Sequence, residues 1–237
     1  IRGRVAARAT GYAEGGATIA YGDYSHAEGD PTTASGYAAH AEGYNTLSGA
    51  TGSHSEGIGS TALGVGSHAE GCYTIALADC SHAEGVNTSA GATGAHAEGC
   101  GTTGSGDYSH AEGYQTLASK FASHSEGANT FSGSTGTHSE GIMTAATGLA
   151  AHAEGCGTTG SGRYSHAEGF QTKATQYASH SEGVESRAGG TGTHAEGILS
   201  AATGLAAHAE GCGTTGSGNY SHAEGFQTRA TGLRSHS

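Results

Sequence analysis

The sequence predicts an all-β fold, a repeat β-solenoid built from 14-residue coils with two short strands in each coil. Three observations lead to this prediction. All 16 histidines are spaced by 14 residues, from His26 to His236, and Tyr12 occupies the preceding position of the series. Gly supplies 45 of the 237 residues, whereas large aliphatic residues are scarce. Small and variable residues alternate with a period of two, which is typical of strands rather than helices.

The first strand of each coil surrounds the histidine, which we number as position 0. Position −1 is Ser, Ala or Thr, position +1 is Ala or Ser, and position +3 is Gly. Because side chains alternate across a strand, these small residues share one face, while His at 0 and Glu at +2 share the other. Glycine at +3 suits a sharp corner where another backbone approaches closely.

The second strand follows at positions +6 and +8, where Thr or Ser and then Ala, Ser or Gly recur. We expect these residues to face inward, because positions +5, +7 and +9 vary freely. The coil would then be thin, with little apolar burial, and small cores of this kind usually need oligomerisation. Residues predicted to lie in the coil interior include Ala27, Thr32, Ala111, Thr116, Ala118, Ala167, Thr172 and Ala174.

The repeat also predicts the domain organisation. Residues 1–11 form a degenerate first coil, and residues 12–237 form a single solenoid of about 16 coils. From about residue 108 the sequence repeats every 56 residues, or four coils, because YSHAEG recurs at Tyr108, Tyr164 and Tyr220. The chain begins at Ile1 without methionine and ends within the motif, so we expect it to be a segment of a longer protein.

Composition and motifs exclude several function classes. The net charge is −12, which disfavours a nucleic-acid partner. No apolar run is long enough to span a membrane. The Ser and His of SHAEG point to opposite faces of one strand and cannot form a catalytic pair, and no phosphate-binding loop is present. We therefore expect no enzymatic activity, no catalytic residue and no cofactor.

Five cysteines are present, and four of them share position +4 of the repeat. Their odd number and the absence of a CxxC pair argue against a zinc finger or a disulfide framework. We interpret position +4, which also holds Tyr, Ile, Val and Phe, as a small apolar residue at a packed corner. The alternative is a disulfide between chains.

The face that carries His and Glu is the candidate functional site. A free surface would let these columns vary, yet they are constant, so three interpretations remain open. The first is a subunit interface in which His N–H groups bind Glu carboxylates. The second is metal binding, with ions captured between subunits. The third is a solvated face or a ligand array for a polymer or ice. The predicted interface columns contain His26, Glu28, His40, Glu42, His54, Glu56, His68, Glu70, His82, Glu84, His96, Glu98, His110, Glu112, His124, Glu126, His138, Glu140, His152, Glu154, His166, Glu168, His180, Glu182, His194, Glu196, His208, Glu210, His222 and Glu224.

The frame of the repeat resembles a known family. Ser109-His110-Ala111-Glu112-Gly113, followed by Tyr114, Gln115 and Thr116, is similar to the YadA-like head repeat of trimeric autotransporter adhesins, which reads roughly S-V-A-I-G, two free positions and a small residue. The resemblance covers residues 11 to 237. It implies a left-handed parallel β-roll that forms a homotrimer, with His110, Glu112 and their counterparts facing the axis. The family's apolar axis would here be polar.

The resemblance implies an extracellular structural or adhesive fibre segment on a bacterial surface. The alternatives are a phage tail fibre or tail-like fibre attached to a virion, and a metal- or ligand-binding solenoid that uses the His and Glu columns. The expected partners are two further copies of the chain and an unknown receptor or matrix ligand. Such a ligand would contact variable outward residues, for example Lys120, Phe121, Arg163, Lys173, Tyr177 and Arg187.

Pairing of His with Glu across the trimer axis also predicts a pH dependence. Such pairing would raise the pKa of each His and lower the pKa of each Glu. The trimer would therefore be most stable at a pH between these two pKa values.

Overall fold

The computed structural model describes the backbone of Ala6–Ala7 and all of residues 10–237. The chain comprises two compact units, Ile1–Ala118 and Ser119–Ser237. In each unit a long strand and a short strand alternate, and each strand pairs in parallel with its counterpart 14 residues away. The described residues contain no helix. The prediction of an all-β parallel solenoid with two strands per 14-residue coil is confirmed, while its left hand and trimeric state stay predictions.

The first unit contains β1 (Ala6–Ala7), β2 (Tyr12–Gly15), β3 (Ile19–Ala20), β4 (His26–Gly29), β5 (Thr32–Ala34), β6 (His40–Tyr44), β7 (Thr46–Ser48), β8 (His54–Ile58), β9 (Thr61–Ala62), β10 (His68–Cys72), β11 (Ile75–Ala76), β12 (His82–Val86), β13 (Ser89–Ala90), β14 (His96–Cys100), β15 (Thr103–Gly104), β16 (His110–Tyr114) and β17 (Leu117–Ala118).

The second unit contains β18 (His124–Ala128), β19 (Phe131–Ser132), β20 (His138–Ile142), β21 (Ala145–Ala146), β22 (His152–Cys156), β23 (Thr159–Gly160), β24 (His166–Phe170), β25 (Lys173–Ala174), β26 (His180–Val184), β27 (Arg187–Ala188), β28 (His194–Ile198), β29 (Ala201–Ala202), β30 (His208–Cys212), β31 (Thr215–Gly216), β32 (His222–Phe226) and β33 (Arg229–Ala230). In both units the even-numbered strands form one sheet and the odd-numbered strands form the other.

The register of each sheet places identical positions side by side. Between β10 and β12, His68 pairs with His82 and Glu70 pairs with Glu84. The odd-numbered strands behave likewise, since Ala188 of β27 pairs with Ala202 of β29. Every position of the repeat therefore becomes a column that runs along the stack of coils in its unit.

The core of each coil consists of small side chains. Position +1 is Ala or Ser and position +8 is most often Ala, and the largest fully buried side chains among the described residues are threonines. The residues expected inside are buried, namely Ala27, Thr32, Ala111, Thr116, Ala118, Ala167, Thr172 and Ala174. Because so little apolar area is buried per coil, the backbone hydrogen bonds between coils account for much of the order.

In several coils, serine or threonine at position −1 closes the turn before the long strand. The Ser67 Oγ donates a hydrogen bond to the carbonyl oxygen of Gly64 at 2.8 Å, and Thr137 Oγ1 does the same to Ser134 at 2.7 Å. The hydroxyl thus replaces water at a buried carbonyl. This hydrogen bond, in addition to the small size of the side chain, explains why Ser and Thr recur at position −1.

Glycine at position +3 is required for two reasons. Gly155 has φ +110, in the left-handed half of the map, where a side chain is strained. A Cβ at Gly155 would also lie only 2.2 Å from the carbonyl oxygen of Gly169 in the next coil. The neighbouring backbone fills the place where a side chain would be, so coils can stack at strand spacing only when this position is glycine.

Replacement of this glycine tests the close approach. We expect Gly155→Ala to lower the free energy of unfolding by about 3 kcal/mol or more, since it adds a backbone clash to conformational strain. Gly136→Ala is the matched control, because Gly136 has φ +63 and no atom lies within 4 Å of the place that its Cβ would take. Gly136→Ala should lower the free energy of unfolding by only about 1–2 kcal/mol. Chemical denaturation measures both, and equal losses would contradict the close-approach argument.

Two statements about domains stay predictions. One is the continuity of a single solenoid over residues 12–237. The other is the degenerate first coil at residues 1–11, of which residues 1–5 and 8–9 lie outside the described part of the chain.

Candidate functional site

The histidines and glutamates lie together on the outer face of the even-numbered strands, which we call the His–Glu face. Strand alternation buries Ala69 completely and leaves its neighbours partly exposed. The side chains of His68 and Glu70 are 36% and 47% exposed. This half-burial is unusual for two ionisable residues, and it recurs along both units.

The imidazole rings of neighbouring coils stack on one another. In the first unit, successive ring centroids from His26 to His110 lie 4.7–4.8 Å apart and the ring planes differ by only 3–9°. In the second unit the spacing is the same, but the tilt is 44° between His194 and His208 and reaches 72° between His222 and His236. The spacing is the distance between strands, so the stacking follows directly from the parallel register.

In most coils the imidazole lies beside the glutamate of the same coil, at a distance typical of a loose ion pair. The distance from Nε2 to Oε2 is 3.6–4.0 Å in 13 coils, beyond the range of a normal N–H···O bond. Nε2 is buried and has no hydrogen-bond partner in His26, His40, His54, His68, His82, His96, His138, His152, His166, His180, His194, His208 and His222. A buried polar atom without a partner is costly, so this face is incomplete within one chain.

Tyr12 shows what a satisfied side chain looks like at position 0. Its hydroxyl donates a hydrogen bond to Glu14 Oε2 at 2.8 Å, and its ring meets that of His26 edge-on at 5.1 Å. The hydrogen bond to Glu14 raises the pKa of Tyr12. The longer tyrosine reaches the carboxylate that histidine misses by about 1 Å.

Burial shifts the histidines towards the neutral form. The pKa values of His54, His82, His96, His152 and His180 lie below the ordinary value of 6.5. The main cause is desolvation of the imidazole, followed by repulsion from the neighbouring histidines, and the glutamates offset this only in part. Within the single chain, the carboxylate lies too far away and the like charges too near for Glu to raise the pKa of these five residues, and the rise expected from pairing across a trimer stays a prediction.

An apolar column at position +4 continues the same strands, and sequence reasoning misread it. It is exposed rather than packed at a corner: Tyr44 is 59% exposed, Ile142 51% and Ile198 49%. Other exposed members are Ile58, Val86, Tyr114, Phe170, Val184 and Phe226. All five cysteines are free, and Cys100 is exposed. The sequence did carry a signal, since Tyr, Ile and Phe are too large for an interior of small residues.

The variable outward residues form a mixed surface in the second unit. The guanidinium of Arg163 lies 5.9 Å from the ring centre of Tyr164, and Tyr164 meets Tyr177 edge-on at 5.7 Å. A shallow groove is lined by Lys173, Glu185, Arg187 and neighbouring residues. Lys120 and Phe121 are exposed as well. Aromatic and cationic groups at the surface are typical of binding patches.

The serine of SHAEG has a structural place. Ser67 is buried and its hydroxyl is bound to the Gly64 carbonyl, while His68 lies on the outer face. The two side chains point in opposite directions, as alternation requires.

Four clusters in the second unit bring metal-ligating atoms together. Each contains the His and Glu of one coil and the His of the next, with the three ligand atoms within 4.8 Å of one another. The clusters are His124, Glu126 and His138; His152, Glu154 and His166; His180, Glu182 and His194; and His208, Glu210 and His222.

Comparison with known proteins found no matching family model and no matching curated protein. Among the described residues, no helix is long and apolar enough to cross a membrane.

The low histidine pKa values predict that acid destabilises the fold. A folded-state pKa below the unfolded one means that stability is complete above about pH 6.5 and is lost as the pH falls through the lowered values. We expect the free energy of unfolding to decrease from pH 7 to pH 5, with a smaller slope in His82→Gln.

The control is His236→Gln, which changes an exposed histidine at the last position of the column. It should leave the slope of unfolding free energy against pH unchanged. A slope in His82→Gln equal to that of the original chain would contradict the assignment of the acid sensitivity to the buried imidazoles.

Proposed function

We propose that this chain is a segment of an extracellular trimeric fibre, similar to the YadA-like head of trimeric autotransporter adhesins, which projects from a surface and presents a binding patch. The observation that carries the proposal is the His–Glu face together with the apolar column beside it. This broad face is regular in every coil and incomplete in a single chain.

The polar half of the face supports burial against other chains. Thirteen buried Nε2 atoms have no hydrogen-bond partner, and half-exposed carboxylates stand beside them. A second chain that offers acceptors to Nε2 and donors to Oε2 would satisfy both groups.

The apolar half of the face supplies a driving force. Tyr44, Ile58 and Val86 are 59%, 47% and 42% exposed along one edge of the first unit, and Ile142 and Ile198 belong to the same column in the second. A contiguous exposed apolar strip on a soluble protein usually marks an interaction surface. Its burial between chains would offset the cost of desolvating His and Glu.

We assign adhesion or attachment to the variable, outward-facing residues. Arg163, Tyr164 and Tyr177 form an exposed cation–aromatic group, and Lys173 and Arg187 lie beside each other in the register of β25 and β27. These positions vary from coil to coil, whereas the His–Glu face does not. Such a division suits a fibre with a constant assembly face and a variable contact face.

The oligomeric state tests the proposal. We expect light scattering at neutral pH to give about three times the 23.1 kDa mass of the chain, because the trimer covers both columns. Acidification to about pH 4 should reduce that mass, since protonated histidines would then face one another at strand spacing. A monomer at neutral pH would overturn the proposal.

A pair of matched variants locates the interface. Ile198→Glu adds charge to the apolar column, and we expect it to convert the trimer to monomer without changing the far-ultraviolet circular dichroism. Leu205→Glu is the control, because Leu205 has similar exposure, 41% against 49%, but lies outside the face. Dissociation of the control alone, or of neither variant, would place the interface elsewhere.

A further inference from the structure

The three ligating atoms of each cluster in the second unit come from one chain. In the cluster of His180, Glu182 and His194, two imidazoles belong to adjacent strands, β26 and β28, and the carboxylate lies beside the first of them. The clusters around Glu154 and Glu210 repeat the arrangement at intervals of two coils. The parallel register creates this geometry, and it does not depend on the proposed trimer.

The separation between imidazole and carboxylate fits an ion better than a hydrogen bond. Nε2 and Oε2 are 3.7 Å apart in His152 and Glu154, 3.8 Å in His180 and Glu182, and 3.6 Å in His208 and Glu210. Zinc bonds to His nitrogen and Glu oxygen are about 2.0–2.2 Å long, so one ion can contact atoms that lie about 3.3–4.2 Å apart. A direct N–H···O bond would need about 2.9 Å.

The second imidazole needs only a ring rotation to join the same ion. The ligand atoms of a cluster all lie within 4.8 Å of one another, and a common ion requires about 4.2 Å or less. Ring planes differ by 5° for His152 and His166, 17° for His180 and His194, and 39° for His208 and His222. Since the column accommodates all these tilts at one backbone spacing, the rings have freedom to turn towards an ion.

Within a single chain, a bound cation would account for the buried nitrogen atoms. Nε2 of His152, His166, His180, His194, His208 and His222 is buried without a hydrogen-bond partner. A proton on Nε2 would leave a buried donor unsatisfied, whereas a lone pair there is available to a cation. The nearby carboxylate adds the negative charge that a divalent cation requires.

We propose that the three clusters around Glu154, Glu182 and Glu210 are Zn²⁺ sites, each with two imidazole nitrogens and one carboxylate oxygen as ligands. The fourth tetrahedral position is open to water or to a group from another chain. Each ion joins two neighbouring coils, so binding stabilises the stack because the unfolded chain lacks the site. Imidazole and carboxylate ligands favour Zn²⁺ over Ca²⁺ or Mg²⁺, which prefer oxygen alone.

Calorimetric titration of the full chain with Zn²⁺, after treatment with a chelator, tests the sites. We expect saturable binding of at least three ions per chain. The triple variant Glu154→Gln, Glu182→Gln and Glu210→Gln keeps side-chain shape but removes the anionic ligand. Loss of an outer partner alone costs 10- to 100-fold in metal affinity, so affinity here should fall by at least about tenfold.

The matched control is Glu185→Gln, which changes the only glutamate off the repeat, an exposed residue. It should bind Zn²⁺ as the original chain does. Co²⁺ absorption adds a second readout, since a four-coordinate His–Glu site gives stronger visible bands than hydrated Co²⁺. No saturable binding, or equal binding by the triple variant, would overturn the proposal.

Two further measurements keep the outcomes separate. If the triple variant loses its circular dichroism signal, single variants serve instead, and each should remove one bound ion. Light scattering with and without chelator separates this proposal from the trimer. A monomer that binds Zn²⁺ supports the metal sites and refutes the trimer, whereas a trimer that binds no Zn²⁺ does the reverse.

Discussion

The close approach of one coil to the next is the constraint on which the rest of the structure depends. Glycine at position +3 allows it, since the carbonyl oxygen of the following coil occupies the space where a Cβ would be, as between Gly155 and Gly169. The small interior allows it as well, because the buried side chains between the two sheets of the described residues are those of Ala, Ser and Thr. A coil this thin buries little apolar area, so hydrogen bonds between coils carry the order.

Parallel pairing in register places the equivalent side chains of successive coils next to one another. Side chains that are 14 residues apart in the chain come to lie 4.7–4.8 Å apart in space. Repeated histidines therefore stack, and repulsion between their rings combines with desolvation to lower the pKa of residues such as His82 and His152. The same register repeats in most coils a carboxylate beside an imidazole, at a distance too long for a hydrogen bond.

The faces of the coil differ in how much their residues vary from coil to coil. The outer face of the even-numbered strands carries constant His, constant Glu and an exposed apolar column, which are the features that support the proposed interface between chains. The variable positions carry the aromatic and cationic groups, such as Arg163, Tyr164 and Tyr177. Because each coil touches only its neighbours, the variable positions can change from coil to coil without disturbing the His–Glu face.

The sequence by itself determined the period, the two strands per coil and the inward side of each strand. These three properties follow from local alternation and from glycine spacing. Ala111 and Thr116 could therefore be assigned to the interior from the sequence alone. Only the tertiary structure decided the exposure of Ile142 and its column, the direction of the histidine pKa shifts, and the grouping of His180, Glu182 and His194. These properties depend on distances between coils and on solvent access, which a one-dimensional pattern does not contain.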